Sequence, residues 1–263
     1  MDIPEQRGSY DRGMETLRKL SGEQEPTVLR GLFEVAPDLA RLTVEFPYGE
    51  VHSRPALDLR DRQLAAIGAL TALGHCGPQL RFHIAGALNI GCGRREVIEA
   101  IMHVVPYAGF LVAINALEEA KTVFAAHEDP TKDEPRPQDA SESRYERGWK
   151  ALREVDGPAG EAVIASLEGI APDLARYVIE FTFGDIYVRP GLDLRAREIV
   201  TVAACTALGS VLPQLKVHVH GLLNVGGTRE EVVETITQTA VYAGFPVAIN
   251  AMHAASEVFA ARG

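Results

Sequence analysis

The sequence predicts an all-α protein built as two tandem homologous domains, and three observations carry that prediction. First, the chain repeats itself at a shift of 135 residues: Gly49-Glu-Val-His-Ser-Arg-Pro-Ala-Leu-Asp-Leu-Arg-Asp-Arg62 lies over Gly184-Asp-Ile-Tyr-Val-Arg-Pro-Gly-Leu-Asp-Leu-Arg-Ala-Arg197. The same shift lays Ala36–Arg41 over Ala171–Arg176 and Tyr107–Phe110 over Tyr242–Phe245, with no insertion or deletion. Even Tyr10, Arg12 and Gly13 fall on Tyr145, Arg147 and Gly148. Second, apolar and small residues recur at helical spacing in both copies. Third, sustained strand alternation with hairpin turns is absent. A solenoid unit runs roughly 20 to 50 residues, so this repeat has instead the size of a small domain with its own core. The sequence thus divides into domains at 1–127 and 144–263, joined by a linker at 128–143 that holds three prolines and almost no apolar residue.

Each predicted helix has a local reason. Pro37 and Pro172 suit a first helical turn. Asp58 to Leu73 is the strongest segment, with Leu59, Ile67, Leu70 and Leu73 apolar, Ala65, Ala66, Gly68 and Ala69 small, and Gly74 as its stop. The next helix runs from Pro78 to Ile90, with Gly91 as its cap. Another begins near Arg94 and Glu96, with Glu99 a turn later. The last follows Pro106, runs through Gly109 and ends near Ala126. The second half repeats this at Asp193, Gly209, Pro213, Gly226, Glu231 and Ala243.

Composition narrows the function. With 46% hydrophobic and 24% charged residues the chain is ordinary for a globular protein. A net charge of −10 disfavours nucleic acid and anionic membranes as partners. No apolar run reaches membrane-spanning length, and the opening Met1-Asp-Ile-Pro-Glu-Gln-Arg lacks the apolar core of a signal peptide. Cys76, Cys92 and Cys205 form no even framework, and none lies over another, which points to free thiols in a reducing cytoplasm.

The richest chemistry sits in Pro78-Gln-Leu-Arg-Phe-His83 and its copy Pro213-Gln-Leu-Lys-Val-His218. Gln79 and His83 are four residues apart on a helix and share a face, as do Gln214 and His218. A histidine there serves either as an acid or base or as a satisfied core residue. Arg54, Arg60 and Arg62 recur as Arg189, Arg195 and Arg197. Guanidiniums bind carboxylates well, but Asp58 and Asp193 recur too. A structural Asp–Arg network accounts for Arg60 and Arg62 and leaves Arg54 and Arg189 as candidate substrate binders. Glu96 and Glu231 suit the start of a helix, whereas Glu99 has His103 one turn on, where the second copy has Gln238. Tyr107 and Tyr242 either offer hydroxyls to a pocket or pack. His52, His75, Cys76 and His83 lie over Tyr187, Ser210, Val211 and His218, so no metal site is repeated and none is expected. Cys76, beside His75 and His83, is a redox candidate with an expected lowered pKa.

Taken in order, these motifs resemble the carboxymuconolactone decarboxylase family. The second copy carries them best, from Arg189-Pro-Gly-Leu-Asp-Leu-Arg-Ala-Arg197 through Thr206-Ala-Leu-Gly209, Gln214-Leu-Lys-Val-His218, Gly221-Leu-Leu-Asn-Val-Gly226 and Glu231-Val-Val-Glu234 to Tyr242-Ala-Gly-Phe-Pro-Val-Ala-Ile-Asn250. The first copy matches, with Ala56 for the glycine and Leu111 for the proline. The resemblance implies the all-α fold of alkyl hydroperoxidase D-like proteins and rings of six domains, which for a two-domain chain means a homotrimer. It also implies one of two chemistries. One is decarboxylation, without a cofactor, of γ-carboxymuconolactone, an acidic lactone from aromatic-compound breakdown. The other is a peroxidase cycle run by Cys-x-x-Cys, a histidine four residues on, and an upstream glutamate. The cysteine pair falls on Cys76 and Gln79 and on Val211 and Gln214, so neither half forms a dithiol. The glutamate falls on Glu198 and on Gln63, and both copies have glutamine where the decarboxylases often have glutamate before the leucine.

Two functions follow as expectations. The first is a decarboxylase-like enzyme acting on a small acidic substrate, with Glu198 and His218, or His83, supplying the proton and an arginine holding the carboxylate. The second is a thiol or redox-related protein, its thiol version resting on Cys76, or a binding protein without turnover.

Overall fold

The computed structural model describes residues 5–127 and 142–263, so all of the expected linker but Glu142 and Ser143 lies outside the described residues. In the first half, α1 (Glu5–Ser21), α2 (Arg30–Val35) and α3 (Pro37–Thr43) lead into a π-helical segment, Val44–Val51. Then come α4 (Leu59–Leu73), α5 (Gly77–Asn89), α6 (Arg94–His103), α7 (Val105–Ala108) and α8 (Phe110–Ala126). The second half has α9 (Arg144–Val155), α10 (Gly157–Glu168), α11 (Pro172–Tyr177), a π-helical segment Val178–Tyr187, α12 (Leu194–Leu208), α13 (Leu212–Asn224), α14 (Arg229–Ala243) and α15 (Phe245–Ala261). No strand occurs among the described residues.

The expected boundaries have visible causes. Asp58 and Asp193 cap α4 and α12 by accepting the Asp61 and Ala196 amides at 2.8 Å. Gly74 and Gly209 end those helices in the left-handed region, at φ 74° and 68°. Glu96 and Glu231 reach back to the amides of Gly93 and Thr228. One expectation is corrected. The helix predicted to run on from Pro106 breaks at Gly109, φ 89°, into α7 and α8. Pro106 also separates α6 from α7, because proline has no amide to continue the ladder. Val241 stands at the matching position, and α14 runs unbroken across it.

The π-helical segments could not be read from spacing. In the first, the His52 amide reaches back five residues to the Pro47 carbonyl at 2.9 Å. Each segment is clasped by the first helix of its half. A Cβ on Gly13 would lie 2.1 Å from the Val44 carbonyl oxygen, and one on Gly49 2.0 Å from that of Ser9. Gly148 repeats this against Ile179 at 2.0 Å. Arg12 and Arg147 tighten the clasp by donating to the Gly49 and Gly184 carbonyls at 3.1 and 2.9 Å. This is the physical meaning of the repeated Arg–Gly pair at the start of each copy.

The two halves do not keep separate cores, which corrects the expectation drawn from repeat length. α4 packs along α12 so closely that a Cβ on Gly68 would meet Val200 Cγ1 at 2.9 Å. Leu192, Ala196, Val200 and Ala204 join the first half's core, and Leu57, Ala65 and Ala69 join the second's. Small residues permit this approach, and the shared apolar surface holds the halves together.

Replacing Gly13 or Gly148 by alanine should therefore destabilise the protein by about 3 kcal/mol, because a backbone carbonyl cannot step aside. Gly31 in α2 has nothing within 4 Å of its would-be Cβ, so Gly31→Ala is a matched control. A urea midpoint that falls no further for Gly13→Ala than for Gly31→Ala would refute the clasp.

Candidate active site

The second half gathers a buried charged cluster. His218 projects from α13 and Glu198 from α12, and His218 Nδ1 lies 3.1 Å from Glu198 Oε2. Asp156, the C-terminal cap of α9, brings Oδ1 to 3.6 Å from the same nitrogen. Tyr187, at the end of the π-helical segment, donates to the other oxygen of Glu198. Tyr107 arrives from the opposite half, with its hydroxyl 2.8 Å from that of Tyr187 and its ring edge-on to the imidazole at 5.0 Å. Burial alone would strip the proton from His218, but Glu198 and Asp156 more than offset that and raise its pKa to about 9. Burial pushes the Asp156 carboxyl up to about 7, with Glu198 adding to the shift and His218 opposing it. The three donor atoms lie within 4.8 Å of one another, a spacing a small cation could bridge. Glu198 meets Tyr187 on one oxygen and His218 on the other.

The first half builds the same frame without the charge. His83 Nδ1 lies 2.8 Å from the Gln63 side-chain oxygen. His52 takes the place of Tyr187, with Nε2 3.1 Å from the Tyr242 hydroxyl, and Tyr242 again comes from the opposite half. Its ring stands edge-on to His83 at 5.2 Å, and the rings of His52 and His83 stack at 6.0 Å. Ser21 falls where the second half has Asp156. With no carboxylate to hold the proton, burial pushes His83 down to about 3 and His52 well below its ordinary value. This cage is neutral, whereas its copy carries ionised groups.

Crossed ion pairs fix both sites. Arg62, fully buried, donates to Glu234 of the other half at 2.8 Å and to Gln238 at 3.1 Å. Arg197, equally buried, donates to Glu99 at 3.1 Å and lies 3.4 Å from His103 Nδ1. Arg54 and Arg189, expected to hold substrate, pair with Glu234 and Glu99. Of the arginines read as a structural Asp–Arg network, Arg60 does donate to Asp61 at 3.0 Å and also to Glu96 of its own half, whereas Arg62 pairs with a glutamate of the other half; Asp61 also accepts from Arg195 at 2.7 Å.

Among the other expected residues, Glu198, His218, His83, Tyr107 and Tyr242 reach the two clusters. Gln79 and Gln214 do not. They are exposed at the start of their helices while the histidines four residues on are buried, because the imidazoles turn inward to α4 and α12. Cys76 lines a separate cavity of ≈ 420 Å³ with Thr71, His75 and Glu119. Its expected low pKa is corrected: burial pushes the thiol up, and exposed His75 is taken by the Leu73 carbonyl at 2.7 Å. Reading for repeated residues missed Asp156, Tyr187 and His52 because none of them repeats. The usable signal was the paired change of Ser21 to Asp156 and Gln63 to Glu198.

Comparisons with known proteins bear on the family and the fold. A model of the carboxymuconolactone decarboxylase family matches residues 37–122 and again 172–257. A 4-carboxymuconolactone decarboxylase of Acinetobacter baylyi is 36% identical over 121 residues, 45% of this chain and 88% of that protein. A nitrosuccinic acid decarboxylase of Metarhizium robertsii is 31% identical over 111 residues, 41% of this chain and 76% of that protein. A solved structure described as a gamma-carboxymuconolactone decarboxylase subunit, from Burkholderia xenovorans LB400, aligns with TM-score 0.59 and 22% identity over 96% of this chain and 98% of its own. That likeness shows that the whole two-part fold is shared.

Glu99→Gln removes the charge facing fully buried Arg197 and should cost about 3 kcal/mol. Arg54→Ala, which cuts a half-exposed pair, should cost about 1 kcal/mol or less. Chemical denaturation of the two variants tests the contrast, and equal losses would show that the buried pair is not the tie between the halves.

Proposed function

The chain belongs to the carboxymuconolactone decarboxylase family, twice over, and on that premise we propose that it decarboxylates a small acidic lactone or related carboxylate by acid–base chemistry without a cofactor. The observation that carries this reading is the buried Glu198–His218 contact at 3.1 Å. The names of two relatives, both decarboxylases, support the reaction class.

The chemistry places one demand on the protein. When the carbon–carboxylate bond breaks, carbon dioxide leaves and the electron pair stays on carbon, delocalised into the neighbouring carbonyl. A proton must then reach that carbon. His218 is the donor in this reading, Glu198 holds the imidazolium in place, and solvent returns the proton after product leaves. Tyr107, only partly buried and edge-on to the imidazole, forms the wall against which substrate sits. The neutral cage around His83 is a poor proton donor, so turnover is assigned to the second half alone. A thiol cycle is disfavoured because Gln79 stands where a second cysteine is required and Cys76 is not activated. The same reading places the protein in the cytoplasm, in the breakdown of aromatic compounds, as a ring of three chains. Exposed apolar residues at matching positions, Leu39 with Leu174, Phe110 with Phe245 and Ile114 with Ile249, support the ring.

Assays on γ-carboxymuconolactone and related carboxylated lactones test the assignment. His218→Asn and Glu198→Gln should each lower kcat/KM by about 10²- to 10⁴-fold, and His83→Asn by less than about threefold. Loss of activity in His83→Asn with His218→Asn unaffected would move the site to the first half. Full activity in all three would end the acid–base reading.

A further inference from the structure

We propose that Asp156 is a positioning residue of the second-half site, and that its charge sets how firmly His218 holds the proton the reaction needs. The proposal rests on the acid–base reading of Glu198 and His218.

The geometry is unusual in one respect: a single imidazole nitrogen faces two carboxylates. His218 Nδ1 is engaged by Glu198 at 3.1 Å, and Asp156 Oδ1 stands 3.6 Å away with no hydrogen-bond partner of its own. Asp156 is only 4% exposed. The elements packed around it bring Glu198 and Cys205 from α12, His218 from α13, Tyr187 from the π-helical segment and Tyr107 from α7. From α10, Gly160 lies against its side chain and brings no charge. His218 is the sole cation in this set. With both carboxylates ionised the pocket would bury a net negative charge, which a low-dielectric interior resists. With Asp156 protonated the pocket is neutral.

Burial accordingly holds the Asp156 carboxyl near 7, so the pocket changes charge in the neutral range. Below that pH the imidazolium faces one carboxylate and is the better acid. Above it the imidazolium faces two, holds its proton harder and donates it less readily. Activity therefore falls as pH rises through about 7, although His218 itself stays protonated to about 9. The first half supports the coupling of the two carboxylates, because it carries neither, with Ser21 and Gln63 at the matching positions. Gly221 completes the arrangement: a Cβ there would lie 3.1 Å from Asp156 Oδ1 and 2.6 Å from Glu198 Oε2.

The test uses Asp156→Asn, which keeps the shape, and Asp156→Ser, which the first half shows the frame accepts. Nitrogen NMR of the His218 ring across pH is read alongside the pH profile of kcat/KM. In the unaltered protein both should show a step near pH 7. In both variants that step should vanish, activity should hold above pH 7, and the His218 titration should drop by about one pH unit. A step near pH 7 that survives in the variants, or a His218 titration that does not move, overturns the proposal. A purely structural role would lower activity evenly across pH and leave the step in place. The NMR arm needs no turnover, so it tests Asp156 even in a protein without decarboxylase activity, while the functional reading fails separately.

Discussion

Two arginines without exposed surface organise this molecule. Arg62 and Arg197 sit inside the protein, and each meets a glutamate from the opposite half. A buried charge without a partner is far costlier than a buried pair, so each half supplies what the other requires. The pairs tie α4 to α14 and α12 to α6, and between them α4 lies along α12. That crossing in turn requires small residues such as Gly68, and it leads the two hydrophobic cores to share residues.

Both clusters inherit this crossing. Each draws its histidine and that histidine's partner from one half and a tyrosine from the other. Within that common frame the two clusters differ mainly in charge. The first holds amide, hydroxyl and neutral imidazole, and burial keeps it neutral. The second holds two carboxylates around a histidine, and the same burial now works on ionised groups. A shared helical frame and unequal side chains thus give the same kind of residue, His83 and His218, opposite protonation at neutral pH.

Much of this was legible in the sequence. Helix boundaries were, because Asp58, Gly74 and their copies act through bonds local to their own turn. The Glu198–His218 pair was, through the family's motif, because the pattern survives in one copy. The fate of Arg54 and Arg189 was not. Their partners lie 180 and 90 residues away in the chain, and no local pattern reports such a crossing. The π-helical segments were hidden because a five-residue reach leaves no familiar spacing. Asp156 was hidden because repetition brings out what the two copies share and passes over what one of them gained or lost.

The crossed tyrosines carry a consequence for how this chain has evolved. In the crossed Arg–Glu pairs and the crossed tyrosines, the halves relate to each other as two subunits of a symmetric dimer do. Joining two such subunits in one chain frees their sequences to differ, and only the second half carries Glu198 and Asp156. It has not become dispensable. Tyr107 and Glu99 serve the opposite cluster, so a half without those charges of its own remains part of its twin's site, and deleting it would strip that site of both.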